Sequence, residues 1–223
     1  MEFSNYHLDE LHIARTPGHP HRIMPPISKA DRLVLDVGCG AGQTLIASTF
    51  EPGTNVIGLD RDKSALSVGR QLDNTISFVC ARAESLPFGG ECFDLVFSRV
   101  ALPYTQLNHA MSEIWRVLKP DGRIWLVLHP YPMIVKEIGA ALSRLQLKRA
   151  VVCLYVIANG VALNVFGKEF HLPFRKDYYE SFQTIRGIKS LLRKVGFKDI
   201  SAEQNHFFVC TAKKIDSTID VAV

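Results

Sequence analysis

The sequence predicts an α/β architecture, a mostly parallel sheet with helices on both faces. Three observations predict it. Short apolar runs of strand length recur near residues 33–37, 56–59, 76–80, 94–97 and 123–128. Helix-prone segments fall between them, near 42–50, 63–72 and 106–118. A glycine cluster, Gly38, Gly40 and Gly42, follows the first run directly. Strand and helix in alternation call for right-handed crossovers, and ligands of such a sheet bind beyond the carboxyl ends of its strands. Asp36, Asp60, Cys80, Ser98 and His129 all fall at or near such ends.

Residues 1–30 read as an N-terminal extension, in which Pro17, Pro20, Pro25 and Pro26 break any long helix. The alternating domain covers residues 31–214. Within it, Lys119-Pro120-Asp121-Gly122 reads as a turn, with proline presetting φ and glycine supplying a positive φ. Residues 131–183 are too long for a simple crossover and read as an insertion after the fifth strand. They contain an uncharged run from Ala150 to Gly167. It suits either a buried lid helix or a β-hairpin turning at Ala158-Asn159-Gly160, and the β-branched stretch Val151–Ile157 supports the hairpin. Asn159, Gly160 and Asn164 argue against a bilayer span. Thr184 to Val195 reads as a helix stopped by Gly196, followed by a strand pair near 200–203 and 207–212 and a tail at 215–223.

The glycine loop carries the chemistry. After Leu33-Val34-Leu35-Asp36-Val37, glycines let the backbone turn sharply and approach a ligand, and a following helix would aim its free N–H groups at negative charge. Asp60 ends the second apolar run, where a carboxylate can accept hydrogen bonds from a ribose diol. A dinucleotide fingerprint wants a third glycine where Gln43 stands, and no Lys-Ser/Thr pair follows for a mononucleotide loop. Asp36 would be a poor neighbour for a pyrophosphate. It tolerates a zwitterionic amino-acid group, which describes S-adenosylmethionine better than NAD.

Leu33 to Gly42 resembles the first motif of class I S-adenosylmethionine-dependent methyltransferases of small-molecule type, and Val56 to Asp60 their second. Ala83-Glu84-Ser85-Leu86-Pro87-Phe88 with Phe93 to Ser98 resembles the third and fourth. Glu113 to Arg123 resembles the helix and turn before their fifth strand. The resemblance runs from about Leu33 to His129. It implies a Rossmann-like, mostly parallel seven-stranded sheet with an antiparallel C-terminal edge, and S-adenosylmethionine as cofactor. The cofactor-binding residues expected are Asp36, Gly38, Cys39 (through its backbone N–H), Gly40, Gly42, Asp60, Arg61, Ala83, Glu84 and Ser98. One departure stands out. Two residues before Glu84, where the family often has an Asp for the adenine amino group, this chain has Arg82, which cannot accept a hydrogen bond but can stack on the base. N-terminal extensions in the family often reach over the cofactor carboxylate, a part open here to Arg15 or His21.

Methyl transfer from a sulfonium is an in-line displacement with a neutral leaving group, so a dedicated catalytic side chain is optional. Tyr104 and His129 are the acid/base candidates, and Arg99 can grip an acidic acceptor. Tyr178, Tyr179 and Phe182 are expected to line the acceptor pocket, to stack on an aromatic substrate or to belong to the core. His12, His19 and His21 lack a carboxylate or cysteine at ligand spacing, so no metal is expected.

The whole-chain net charge is +4, but residues 1–130 carry 12 Lys+Arg against 14 Asp+Glu while residues 131–214 carry 14 against 6. A basic half can meet an anionic substrate or a membrane surface. The expected partner is a small or lipid-like acceptor. Ser98-Arg99-Val100-Ala101 lacks the sequence with which base-methylating relatives hold a flipped base, which argues against nucleic acid. Five scattered cysteines and the lack of a signal-like N-terminus point to the cytoplasm. Peripheral membrane contact stays open, as does monomer or homodimer. The rival reading is a degenerate methyltransferase fold that binds without catalysing.

Overall fold

The computed structural model describes residues 5–173, 175 and 177–215, so all of the tail expected at 215–223 except residue 215 lies outside the described residues. Its centre is a seven-stranded sheet: β1 (Leu33–Val37), β2 (Asn55–Asp60), β3 (Ser77–Cys80), β4 (Phe93–Arg99), β5 (Leu118–Leu128), β6 (Phe197–Gln204) and β7 (Phe208–Lys214). The spatial order is β3-β2-β1-β4-β5-β7-β6. Pairings from β3 through β5 are parallel, and β7 runs antiparallel between β5 and β6. The strand order reverses at β1 and β4, which opens a crevice at their carboxyl ends.

The helices are α1 (Asn5–Arg15), α2 (Gln43–Ile46), α3 (Lys63–Leu72), α4 (Leu107–Val117), α5 (Tyr131–Ser143), α6 (Leu147–Phe166) and α7 (Ile185–Val195). The strands are apolar on both sides because both sides are covered. Leu35, Val96 and Leu126 point into one layer with Met111 and Ile114 of α4 and Leu192 of α7. Their neighbours Val34, Leu95 and Val127 point the other way, into a layer with Leu45, Leu66 and Phe78. Each such fully buried Leu or Phe contributes about 1.5–3 kcal/mol relative to an exposed one.

Local chemistry sets the helix ends. Asp62 caps α3 by accepting from the Ser64 and Ala65 N–H groups at 2.8 and 3.4 Å. Thr184 caps α7 through the Gly187 N–H, and Gly196 ends that helix at φ 113°. Glu169 reaches the start of α4, accepting from Leu107 and Asn108 N–H at 3.0 and 3.1 Å.

Three expectations need correction. The helix expected near 42–50 is only the short α2, because Ala47 closes it back onto Gln43 and Leu45. The turn at 119–122 lies inside β5, and Asp121, not Gly122, takes the left-handed conformation at φ 61°. Gly122 serves close packing: a Cβ there would lie 2.8 Å from the Lys119 carbonyl oxygen. The extension agrees with its prolines, since α1 ends at Arg15, before Pro17. The uncharged run is helix, not hairpin. Asn159 donates to the Glu180 carbonyl at 2.9 Å and accepts from the Phe170 N–H at 2.8 Å. A Cβ on Gly160 would lie 2.2 Å from the Phe182 ring. Asn-Gly is here a seat for the returning chain rather than a turn.

The insertion begins and ends at one place. Pro130 and Gln183 form a bridge, and the Gln183 N–H donates to the His129 carbonyl at 2.9 Å. Ser181 N–H donates to the Pro103 carbonyl at 3.0 Å. The segment therefore sits beside the 3-10 turn Leu102–Tyr104, at the carboxyl ends of β4 and β5.

Candidate functional site: two cavities that share a tyrosine

Three neighbouring hollows lie over the crevice. The central one, about 220 Å³, is bounded by Gly38 from the glycine loop, Asp60 and Arg61 after β2, Ala83 and Glu84 after β3, and Tyr104. A narrower one of about 70 Å³ continues past Gly38 to Asp36, Cys39, Gly40 and Arg99, and is roofed by Tyr6, His7 and Glu10 of α1. The third, about 420 Å³, lies under α5 and α6 and is lined by Tyr104, Ile134, Val152, Val156, Tyr178 and Glu180, among others.

Asp60 is fixed by the loop it serves. Its Oδ2 accepts from the Gly40 N–H at 2.8 Å and its Oδ1 from the Asp62 N–H at 2.9 Å. Carboxylate oxygens have lone pairs beyond these two bonds, so a diol can still be held. Gly40 takes φ 57° beside it. Gly38 (φ 77°) packs so tightly that a Cβ would lie 2.0 Å from the Ala101 Cβ.

Asp36 is buried, and its Oδ1 has no hydrogen-bond partner among the described residues. Burial raises its pKa to about 8, against the opposing pull of Arg99 and with a small push from Asp60. A lone buried carboxyl facing a narrow hollow suits a cation. The residues thus fit the expected cofactor: a diol at Asp60, a base edge at Ala83 and Glu84, an ammonium near Asp36.

Other expected site residues sit elsewhere or are otherwise engaged. The Cys39 N–H donates to the Leu59 carbonyl at 3.0 Å, so it is not free for a ligand. Burial pushes its thiol well above the usual cysteine range. Gly42 (φ 75°) packs against Phe78, where a Cβ would lie 2.7 Å from the ring, and lines none of these hollows. Ser98 is buried and donates to the Val37 carbonyl at 2.7 Å, tying β4 to β1. Arg99 does not point at the acceptor side; it pairs with Glu10 at 2.6 Å. Arg82 turns back to Glu84 at 3.2 Å, and Glu84 also accepts from the Gln106 N–H at 3.0 Å. Arg15 is exposed, and His21 stacks on His206 instead.

The two acid/base candidates are adjacent. Tyr104 and His129 meet edge to face with ring centroids 5.0 Å apart. Tyr104 lines both large hollows, whereas His129 stands behind it and lines neither. Burial lowers the His129 pKa to about 4, and its Nδ1 has no partner among the described residues. Burial, then Glu180 and Glu137, raise Tyr104 to about 12. At neutral pH the pair is a neutral imidazole and an intact phenol.

Sequence reasoning missed four contributors. Tyr6, His7 and Glu10 roof the narrow hollow, with His7 Nδ1 2.9 Å from Gln43 Nε2. Their i, i+3/i+4 spacing ahead of Pro17 was the available signal. Glu180 was also missed. It is buried, it accepts a hydrogen bond from the Tyr178 hydroxyl, and burial raises its pKa. Of the aromatic group, Tyr178 lines the lid hollow, Tyr179 accepts from the Gln106 side chain, and Phe182 is core.

Comparison with known proteins agrees with this geometry. Residues 35–126 match the family profile described as Methyltransferase domain. The chain is 35% identical over 127 residues to the uncharacterized methyltransferase YcgJ of Bacillus subtilis, covering 53% of this chain and 49% of that protein. It is 28% identical over 166 residues to a demethylmenaquinone methyltransferase of Chlorobaculum tepidum, covering 74% and 65%. The chain thus spans about half to two-thirds of the length of these curated relatives. The crystal structure of YcgJ superposes with a TM-score of 0.57 at 19% identity, covering 95% of this chain and all of that one. A putative methyltransferase in complex with the Trm112 activator of Haloferax volcanii gives 0.61 at 17%, covering 95% and 94%. At such identities the structural likeness speaks for the fold.

Proposed function

We propose that the chain is a class I S-adenosylmethionine-dependent methyltransferase and that it transfers a methyl group to a small acceptor with an apolar body, a reading supported by the matching methyltransferase-domain profile and relatives. The observation that carries the reading is Tyr104, whose side chain borders both the cofactor hollow and the lid hollow. A methyl donor in one and an acceptor in the other would meet at that ring.

The cofactor supplies the hard chemistry, an activated methyl on a cationic sulfur. The protein's part is position. Asp60, Ala83 and Glu84 would hold the nucleoside end and Asp36 would face the ammonium, under the roof that α1 makes over that hollow. Ile134, Val152 and Val156 give the acceptor an apolar wall. Burying both partners also excludes water from the line of transfer.

His129 and Tyr104 are too far from neutral pKa to be strong bases at pH 7. They shape the meeting point instead. Glu180 is the group placed to take a proton from the acceptor, because burial makes it a better base than an ordinary carboxylate. The apolar acceptor wall agrees with the relative that acts on demethylmenaquinone. The rival, a binding module without turnover, draws on Arg82 at the adenine side; against it, Glu84 supplies a carboxylate there.

Calorimetry with S-adenosylhomocysteine, followed by labelled-methyl transfer to a panel of quinols, phenols and amines, tests the reading. Saturable binding and transfer to at least one acceptor are expected. Binding of NADH with none of S-adenosylhomocysteine would overturn the cofactor assignment, and binding without any transfer would favour the rival.

A further inference from the structure

Helix α6 is apolar on two faces and covered on one. Ala150, Cys153, Val156, Asn159, Gly160 and Leu163 face inward and are buried. Leu147, Val151, Leu154, Val161 and Val165 form a second stripe that is exposed, at the i+3/i+4 spacing of one helix face. The α5–α6 elbow extends it: Leu145 is 84% exposed, and Leu142 is also open. A helix apolar all round is ordinarily buried by protein or by lipid.

The charges around the stripe say which. Among residues 131–170 the exposed charged side chains are Lys136, Arg144, Lys148, Arg149 and Lys168, all basic. Of the two acids in that span, Glu169 lies against the start of α4, and Glu137 pairs at the surface with Arg149 at 3.7 Å, which leaves the surroundings of the stripe net basic. A second copy of the stripe is a poor cover. Parallel pairing would set Arg144, Lys148 and Arg149 against themselves, and antiparallel pairing would set them against Lys168. Anionic headgroups meet every one of these charges with the opposite sign.

We infer that the outer face of α6 and the α5–α6 elbow form a docking surface for an anionic lipid bilayer, with the helix lying in the interface. Its inner face is held by the core, so α6 lies along the membrane and does not cross it, although its length of 20 residues would suffice for a span. Lys148 and Arg149 rim the lid hollow, so docking sets the mouth of that hollow among the headgroups. The inference stands on the helix surface and not on the transfer reaction, so it can fail while the cofactor assignment survives.

Flotation of the full chain tests it, with vesicles of phosphatidylcholine alone and with phosphatidylglycerol added at about one part in three. The chain should float with the anionic vesicles and stay below with the neutral ones. Arg144→Gln with Lys148→Gln should weaken partition roughly twenty-five-fold at low salt, at about fivefold for each charge lost. Leu154→Glu with Val161→Glu should abolish flotation while leaving the near-ultraviolet circular dichroism and melting temperature unchanged. If that pair fails to fold, Leu145→Ser and a salt titration of the unaltered chain give the same reading. No flotation of the unaltered chain on anionic vesicles overturns the inference, as does equal binding to neutral ones. So would a stable dimer in light scattering that Leu154→Glu splits.

Discussion

Glu10 of α1 holds Arg99, at the end of β4, in an ion pair of 2.6 Å, and this contact closes the N-terminal helix over the hollow that contains Asp36. Both side chains are largely buried, so solvent screens the pair less than it would a surface bridge. Glu10→Gln and Arg99→Gln should each weaken S-adenosylhomocysteine binding, and the double variant should be no worse than the poorer single one. A double-mutant cycle should return a coupling of about 1 kcal/mol. Strictly additive losses in calorimetry would show that α1 is held by other contacts.

Asp60 and Gly40 form one unit, because the carboxylate that would hold a ribose also holds the loop. Asp60→Ala should reduce cofactor affinity by about 1–3 kcal/mol, the scale for a charged hydrogen-bonding group lost from a site. Gly40→Val should abolish binding, since a β-branched residue is strained at φ 57° and its side chain would crowd Gln43. Unchanged affinity in both variants would show the ligand to sit elsewhere.

Asp36 and His129 should give the free protein opposite pH dependences. Asp36 has a folded pKa near 8, above its unfolded value of 3.8. Its contribution is therefore fully present below pH 3.8 and is lost as pH rises towards 8. His129 has a folded pKa near 4, below its unfolded value of 6.5, so its contribution is present above pH 6.5 and is lost as pH falls towards 4. Asp36→Asn should raise the melting temperature at pH 8 but not at pH 4, and His129→Gln should flatten the acid limb. A bound ammonium would also pull the Asp36 pKa down. Calorimetry near neutral pH should then show close to one proton released on cofactor binding, read from the dependence on buffer ionisation enthalpy. Proton uptake would contradict the placement of the cation at Asp36.

Tyr104→Phe keeps the edge-to-face contact with His129 and removes only the hydroxyl. Cofactor affinity should hold, and transfer should fall by less than about tenfold if the ring's part is positional. Glu180→Gln should cost roughly 10²–10⁴-fold in transfer to a protonated acceptor, the range of a general base. A flat response to Glu180→Gln, with the pH profile unmoved, would remove it from the reaction.

Gly160→Leu tests the lid. The new side chain would occupy the place of the Phe182 ring and should destabilise the lid by about 1–3 kcal/mol, the usual cost of overpacking. Cofactor binding should persist while transfer is lost. Parallel loss of both would mean that the insertion supports the whole sheet and not only the acceptor side.

The strands and glycine loop that bound the central hollow were legible in the sequence because their signals are local. Leu33 to Val37 is a strand on period and composition, the glycines after it have few other uses, and Asp60 stands at a strand end. The lid was not legible because its decisive contacts are distant in sequence. Asn159-Gly160 satisfies a hairpin and a helix equally until Phe182 and Glu180 come back to meet it. Ser98 illustrates a subtler failure. Its position at a strand end is right for a ligand contact, but its hydroxyl is committed to the Val37 carbonyl, a partner that sheet order alone reveals. Tyr6, His7 and Glu10 were hidden because their helix precedes every recognisable motif.

The bridge between Pro130 and Gln183 has a bearing on how such a chain can change over generations. Because the insertion leaves and rejoins the domain at a single neck, everything between the two residues is a side excursion. Doubling its length would cost only about 0.6 kcal/mol in loop-closure entropy. The lining of the lid hollow can therefore drift, or be grafted wholesale from another chain, at the cost of resealing that neck and remaking the Glu169 contact with α4. The residues around Asp36 and Asp60 need not change at all. Evolvability of the acceptor side is built into the topology.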